Sequence, residues 1–213
     1  MFEVGKSQSR NARWPEAIYW LEKSHDVISG QQTWELSSDA KELQIGIWHE
    51  LARAFLNQGG EESQVKVWDI IHRLDVECGG RLVVLLLKLD AFAGGPAYAA
   101  QDYYDVLSKI VHTVHLTDTN IKTILHHVHK LRARSPLMAQ TVLVTLISQR
   151  LLGAEKPNWL EKAFVTMIWN CTTTTDFADV LSSLAGVLDT LASNSGQALS
   201  PSATHAAQIV RFV

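Results

Sequence analysis

Apolar residues recur at intervals of three and four along most of the chain, and this spacing predicts amphipathic α-helices. No segment sustains the strict alternation that is typical of a half-buried β-strand. The pattern therefore predicts about ten or eleven helices of ordinary length and no strand. The predicted apolar faces are Leu43, Ile47, Leu51, Ala54 and Phe55; Val106, Leu107, Ile110, Val111 and Val114; Ile121, Ile124, Leu125, Val128 and Leu131; Leu143, Leu146 and Ile147; Trp159, Ala163 and Met167; and Val180, Leu181, Leu184, Val187, Leu188 and Leu191.

The prolines fall where these helices are predicted to begin. Proline is tolerated in the first helical turn because the N–H that it lacks would have no partner there. Ser135 and Ser200 are predicted N-caps, and Asn158 with Glu161 has the spacing of a capping box. The prolines therefore mark helix starts. They are Pro15, Pro96, Pro136, Pro157 and Pro201.

Short joints that contain Gly or Ser separate the predicted helices. The apolar run from Leu82 to Leu89 is interpreted as a buried helix, because it is rich in Leu rather than in β-branched residues. Helices joined so closely run antiparallel to their neighbours, in a bundle or in a stack of helical hairpins. The joints are Gly59-Gly60, Gly79-Gly80, Gly94-Gly95 and Ser193 to Gly196.

A repeat signal near the N-terminus favours the stack. Gly5, Ala17 and Leu21 have the spacing of the tetratricopeptide (TPR) pattern, with Gly on the first helix of a hairpin and the other two on the second. Trp14 and Ser24 fit the aromatic and small positions around them. We therefore predict an all-α fold of stacked antiparallel helical hairpins, a TPR-like α–α superhelix (solenoid).

A second, degenerate copy of the pattern follows the first. Gln64 stands where the pattern has a small packing residue, and later copies cannot be aligned. We predict one TPR-like helical-repeat region over residues 1–213. The matching positions of the second copy are Leu51, Ala52, Phe55, Gly59 and Trp68.

The composition is that of a folded globular protein, with 46% hydrophobic and 19% charged residues. The net charge of −3 lacks the basic surplus of a dedicated nucleic-acid binder, so direct nucleic-acid binding is not expected. The most apolar run, Leu82 to Leu87, is too short to cross a bilayer, and no membrane association is predicted. Cys78 and Cys171 have neither disulfide nor zinc spacing, which fits a reducing intracellular location.

Two pairs of histidines are candidate metal ligands. His112 and His115 are three residues apart, as are His126 and His129, and this spacing on a helix would place both rings of a pair on one face. No carboxylate or cysteine accompanies either pair, and Lys130 crowds one of them. Histidines between helices more often hydrogen-bond to their neighbours. We therefore predict structural or surface roles, and no metal or other cofactor.

The densest positive cluster follows the second histidine pair. Lys130, Arg132 and Arg134 could contact phosphates or an acidic segment of a partner. The alternative, which we favour, is a helix C-terminus where cations offset the helix dipole.

No motif predicts catalysis. The GKS segment at 5–7 lacks the upstream glycine and the strand of a phosphate-binding loop. His49-Glu50 lacks the second histidine of a zinc-protease motif, because Arg53 stands in its place. We therefore predict that the chain is not an enzyme and has no small-molecule substrate.

The order of motifs is similar to that of a known family. NIKTILHHVHKLRARSPLMAQ (120–140), NWLEKAFVTMIWN (158–170), LSPSATHAAQIV (199–210) and the opening FEVGKSQSRNARWPEAIYWLEKSHDV (2–27) resemble the fungal meiotic TPR family of the Zip-four/Spo-twenty-two type. The resemblance implies a nuclear scaffold on meiotic chromosomes, without enzymatic activity, that binds other recombination and synapsis proteins. It implies a role in crossover formation and in assembly of the synaptonemal complex.

The resemblance leaves the functional residues open. Family members are much longer, so we expect this chain to be a fragment of a longer solenoid, and no family binding motif can be placed on its positions. Two other functions remain as alternatives. One is a general TPR adaptor that binds peptide segments of a chaperone or transport complex, and the other is a metal-dependent enzyme built on the histidine pairs.

Overall fold

A computed structural model describes residues 1–29, 37–94, 100–151 and 157–171, and every regular element in these ranges is helical. The prediction of an all-α fold is confirmed. The described helices are α1 (Phe2–Arg10), α2 (Trp14–Ser29), α3 (Ser38–Gln58), α4 (Glu61–Cys78), α5 (Leu82–Gly94), α6 (Ala100–Thr113), α7 (Asp118–Arg132), α8 (Pro136–Leu146), which continues as a π-helical turn (Ile147–Leu151), and α9 (Pro157–Cys171).

The helices form two compact units, residues 1–99 and 100–213. In the first unit each of the helices α1 to α5 packs against the next one along the chain, and α3 also contacts α1 and α5. The third helix therefore contacts the first and the fifth as well as its neighbours in sequence, which is the arrangement of stacked helical hairpins.

The first hairpin, α1 and α2, is held by a close approach at Gly5. A Cβ atom at this position would lie 2.7 Å from Cγ of Leu21 and 3.4 Å from the carbonyl oxygen of Ala17. All three residues are buried. Only a residue without a side chain allows the two helices to approach this closely. Pro15 lies in the first turn of α2, as predicted from its position.

Two glycines form the joint between α3 and α4. Gly59 has φ +74° and Gly60 has φ +90°, backbone conformations that L side chains rarely adopt. Ser37 caps the start of α3, because its side chain accepts a hydrogen bond of 3.3 Å from the backbone N–H of Ala40. The Leu-rich run forms helix α5 and is largely buried, as predicted.

The core of the first unit comes from the apolar faces of α2 to α5. On α3 the predicted face is wrong at one position, because Leu43 is 43% exposed while its partners further along α3 are buried. Gln64 on α4, which departs from the repeat pattern, makes a contact with the next helix. Its side-chain amide donates a hydrogen bond of 3.3 Å to the carbonyl oxygen of Ala91 on α5, where a small residue would make none.

The second unit packs α8 against α6, α7 and α9. Arg150, in the π-helical turn, reaches the C-terminal end of α6. Its Nη1 donates to the carbonyl oxygens of Val111 and His112 at 2.7 Å each, and its Nη2 donates to that of Val114 at 3.0 Å. Carbonyls at a helix C-terminus have no partner within the helix, so this guanidinium caps α6.

Two predictions of helix starts can be examined in this unit. Ser135 is the N-cap of α8 and Pro136 its first residue, although the Ser135 side chain makes no capping hydrogen bond. The predicted capping box of α9 is wrong, because α9 begins at Pro157 and Asn158 therefore lies inside the helix. Predictions that involve Pro96, the face at 180–191, the joint at 193–196 and the Ser200-Pro201 start lie outside the described residues.

Candidate interaction site

A recess of about 190 Å³ opens between α1 and α3, and we call it the cationic recess. The first turn of α2 closes one side of it. Three of its side chains are positively charged and one is negatively charged. Its lining residues are Lys6, Ser9, Arg10, Trp14, Glu50, Arg53 and Asn57.

Helical periodicity places these side chains in the recess. Lys6 and Arg10 are one turn apart on α1, and Glu50, Arg53 and Asn57 follow one another at three and four residues on α3. On α1 the lining residue Ser9 lies one turn after the buried Gly5, and on α3 the lining residues lie beside the buried apolar residues. The residues that pack the hairpins therefore also turn these polar faces toward each other.

Glu50 holds part of the positive charge of the recess. Its carboxylate lies 3.6 Å from Nδ1 of His49 and 3.5 Å from Nη1 of Arg53. The adjacent imidazole of His49 lowers the pKa of Glu50, partial burial opposes this change, and the charges of Arg53, His49 and Lys6 lower the pKa further. Glu50 is therefore ionised at neutral pH.

The other two cations of the recess are Lys6 and Arg10. Lys6 contacts the carboxylate of Glu3 at 3.5 Å, on the solvent side, and lies 5.0 Å from the centre of the Phe2 ring. Among the residues that the structure describes, no carboxylate pairs with Arg10. The recess thus has a surplus of positive charge.

Two polar groups beside these cations add to the lining. The hydroxyl oxygen of Ser9 is buried and has no hydrogen-bond partner in the described structure. The side-chain amide of Asn57 donates a hydrogen bond of 2.7 Å to the carbonyl oxygen of Arg53 one turn earlier.

A second groove of about 300 Å³ runs between α2 and α4, over α3. Its floor is apolar and its rim carries charges of both signs. The floor is formed by Trp48, Leu51, Phe55 and Ile70, and the rim by Glu22, His25, Asp26, Lys66, Asp69 and Arg73. Because the charges on its rim are mixed, this groove favours neither an acidic nor a basic ligand.

The histidine pairs do not form the arrangement that their spacing suggested. The interpretation of His112 and His115 as a pair on one helical face is wrong, because α6 ends at Thr113 and His115 lies in the following loop. His126 and His129 are both on α7 and both exposed. Among the described residues, no group of three or more His, Cys, Asp or Glu side chains could hold a metal ion.

One buried histidine of α7, His127, was not among the candidate metal ligands. His127 is 5% exposed, and its Nδ1 lies 2.6 Å from the hydroxyl oxygen of Tyr103 on α6. Its place on the apolar face could have identified it, because it follows Ile124 by three residues and precedes Leu131 by four.

The basic run lies at the C-terminal end of α7. His129, Lys130 and Arg132 are in the last helical turn, and Arg134 follows the C-cap residue, Ala133. This placement fits the favoured interpretation of cations that offset the helix dipole.

Of the other repeat positions, Trp14 begins α2 and lines the cationic recess. Trp68 on α4 packs against Phe92 on α5, with ring centres 4.9 Å apart. Gly59 lies in the joint after α3. None of the described helices is long and apolar enough to span a membrane.

The described residues form an all-α fold of packed helices, with a recess between α1 and α3 that is lined by three cations and one carboxylate. The family model described as "Meiosis protein SPO22/ZIP4 like" matches residues 1–210. The chain therefore belongs to the SPO22/ZIP4-like family of meiosis proteins. No curated protein and no solved structure gave a significant match.

Proposed function

We propose that the chain is a non-enzymatic protein–protein interaction scaffold in meiotic recombination, which promotes crossover formation and assembly of the synaptonemal complex. The observation that carries the proposal is the match of residues 1–210 to a meiosis family, on a fold of consecutively packed helices. Its partners are other recombination and synapsis proteins, and it acts in the nucleus on meiotic chromosomes. The proposal includes one TPR-like repeat region over residues 1–213.

The surfaces of the first unit support a binding role. Stacked helices leave grooves between neighbours, and such grooves accept segments of other proteins. The cationic recess and the groove over α3 are two surfaces of this kind. The hydroxyl of Ser9 in the recess has no hydrogen-bond partner in the described structure, so no base is placed against it as an activated nucleophile would require.

The first test compares a deletion strain, the same strain with a restored wild-type gene, and the parent. We expect the deletion to lower crossover frequency and spore viability, to shorten the tracts of assembled synaptonemal complex, and to leave vegetative growth unchanged. The restored gene should return all three meiotic measures to those of the parent. Normal crossing-over and spore viability in the deletion strain would contradict the proposal.

The second test is affinity purification of the tagged full-length protein from meiotic and mitotic cells, with identification of bound proteins by mass spectrometry. We expect recombination and synapsis proteins from meiotic cells only. A second candidate function, a general adaptor for peptide segments of chaperone or transport complexes, is favoured by the cations of the recess. It would be indicated by chaperones or transport factors recovered from both cell types.

A further inference from the structure

The charge balance of the cationic recess is uneven. Lys6, Arg10 and Arg53 line it together with one carboxylate, that of Glu50. Glu50 pairs with Arg53 and Glu3 pairs with Lys6, so Arg10 is the lining cation for which the described structure shows no carboxylate partner. A surplus of one charge sign attracts a ligand group of the opposite sign.

We propose that the cationic recess binds an acidic side chain, Asp or Glu, from a segment of a partner protein that lies across α1 and α3. The inference rests on the proposed function, because it assigns a binding surface to the scaffold. The guanidinium groups of Arg10 and Arg53 belong to different helices and can hold one carboxylate between them. Hydrogen bonds between a guanidinium and a carboxylate are among the stronger ones that proteins use in recognition.

The uncharged part of the lining suits the same ligand. The hydroxyl of Ser9, which has no partner in the described structure, can donate a hydrogen bond to a carboxylate oxygen after a small shift. The ring of Trp14 is partly buried and forms an apolar wall, against which the methylene groups of an acidic side chain can pack.

Nucleic acid fits the recess less well than an acidic side chain does. Proteins that bind the nucleic-acid backbone commonly contact about six to ten phosphates along a track of cations. Here three cations surround one small cavity that also contains an ionised carboxylate. The acidic residues Glu3 on α1 and Glu16 in the first turn of α2 are exposed near the recess, where a continuous backbone would meet them.

The test uses the full chain and a short, fluorescein-labelled polyglutamate peptide with an amidated C-terminus, so that its side-chain carboxylates are the anionic groups that an equally labelled polyglutamine peptide lacks. Binding is measured by fluorescence anisotropy, with polyglutamine peptide and duplex DNA as alternative probes. The test variant is Arg10→Glu with Arg53→Glu. The matched control is Lys41→Glu with Lys122→Glu, which changes the net charge equally at exposed positions outside the recess.

We expect the test variant to weaken polyglutamate binding about ten- to a hundredfold, as for the loss of one or two charge-assisted hydrogen bonds. The control should change binding less than about twofold. Equal weakening in the two variants, or absence of polyglutamate binding to the wild type, would overturn the proposal. So would wild-type binding of duplex DNA that is tighter than that of polyglutamate and is lost in the test variant.

A milder variant guards against misfolding. Arg10→Gln with Arg53→Gln removes both charges without reversing them, and thermal unfolding reports whether either double variant is folded. If charge reversal unfolds the protein, the glutamine variant decides, and it must weaken binding about tenfold. A negative result in the peptide assay would not contradict the proposed meiotic role. Crossover frequency and spore viability in the deletion strain test that role independently.

Discussion

The hydroxyl oxygen of Tyr103 on α6 and Nδ1 of His127 on α7 lie 2.6 Å apart, with both side chains buried. The contact joins two helices at a point where the surrounding residues are apolar. Such a bond contributes about 1 kcal/mol net to stability, but removal of one partner leaves the other desolvated, at a cost of about 1–3 kcal/mol. The pair therefore fixes how α6 and α7 pack together.

Tyr103→Phe should lower the free energy of unfolding by about 1–3 kcal/mol, because it removes the hydroxyl and leaves the ring of His127 without this bond. Urea unfolding followed by circular dichroism measures the change. Tyr104→Phe is the matched control: its side chain is only partly buried, and we expect a change within about 0.5 kcal/mol. Equal effects of the two substitutions would show that the buried hydrogen bond does not stabilise this unit.

Two glycine substitutions should change stability in opposite directions. A Cβ at Gly5 would lie 2.7 Å from Cγ of Leu21, which cannot move freely because it is fully buried. Gly5→Ala should therefore destabilise the protein by about 1–3 kcal/mol through overpacking. At Gly46 on α3 the nearest atom would be Cζ of Phe2 at 3.5 Å, an ordinary contact. Gly46→Ala should stabilise by about 0.5–1 kcal/mol, since Ala favours the helix.

Urea unfolding of the two glycine variants beside the wild type measures both changes. If Gly5→Ala is as stable as Gly46→Ala, the first hairpin does not depend on the close approach of α1 to α2. Thermal unfolding provides a second readout, in which the two midpoints should move to opposite sides of the wild-type value.

The packing of neighbouring helices was accessible from the sequence because it depends on local spacing. The helical period predicted an all-helical chain, and the spacing of Gly5, Ala17 and Leu21 suggested one hairpin. Helix ends were less accessible. His115 lies two residues beyond the end of α6 at Thr113, and the sequence around it contains no Gly or Pro to mark the end.

The cationic recess could not be predicted from the same patterns. Apolar periodicity indicates which face of a helix is buried, but not which polar residues of two different helices meet. Lys6 on α1 and Arg53 on α3 lie in one recess only because these two helices, which α2 separates in the sequence, contact each other. The contacts of Arg150 with the end of α6 are similar, because they join residues more than thirty positions apart.

Replacement of Arg150 should separate the effect of its charge from that of its geometry. Arg150→Met removes three hydrogen bonds to the end of α6 and should lower the free energy of unfolding by about 1–3 kcal/mol. Arg150→Lys keeps the charge but cannot span several carbonyls with one planar group, so about half of the loss should remain. Gln149→Met, at an exposed neighbouring position, is the control, with an expected change within about 0.5 kcal/mol. Chemical denaturation measures all three, and a tolerated Arg150→Met would show that the cap does not stabilise α6.

Glu50 should make stability depend on pH on the acidic side. The adjacent imidazole of His49, together with the charges of Arg53 and Lys6, lowers the pKa of Glu50 in the folded protein below that of an unfolded chain, which is about 4.3. A lowered folded-state pKa means that the unfolded state binds the proton first as pH falls. The stabilisation by Glu50 is therefore complete above about pH 5 and is lost as the pH falls through the folded-state pKa.

Glu50→Gln should consequently be less stable than the wild type at neutral pH, and the difference should shrink on acidification toward about pH 3. Because the side chain is only partly buried and its partners are partly exposed, the difference at neutral pH should not exceed about 1 kcal/mol. Urea unfolding at a series of pH values measures it, with Glu22→Gln on the exposed side of α2 as the control for the same substitution. A difference between Glu50→Gln and wild type that stays constant from neutral to acidic pH would mean that the cations of the recess do not act on this carboxylate. In that case Glu50 would offset less of the positive charge of the recess, and more of that charge would be available to bind polyglutamate.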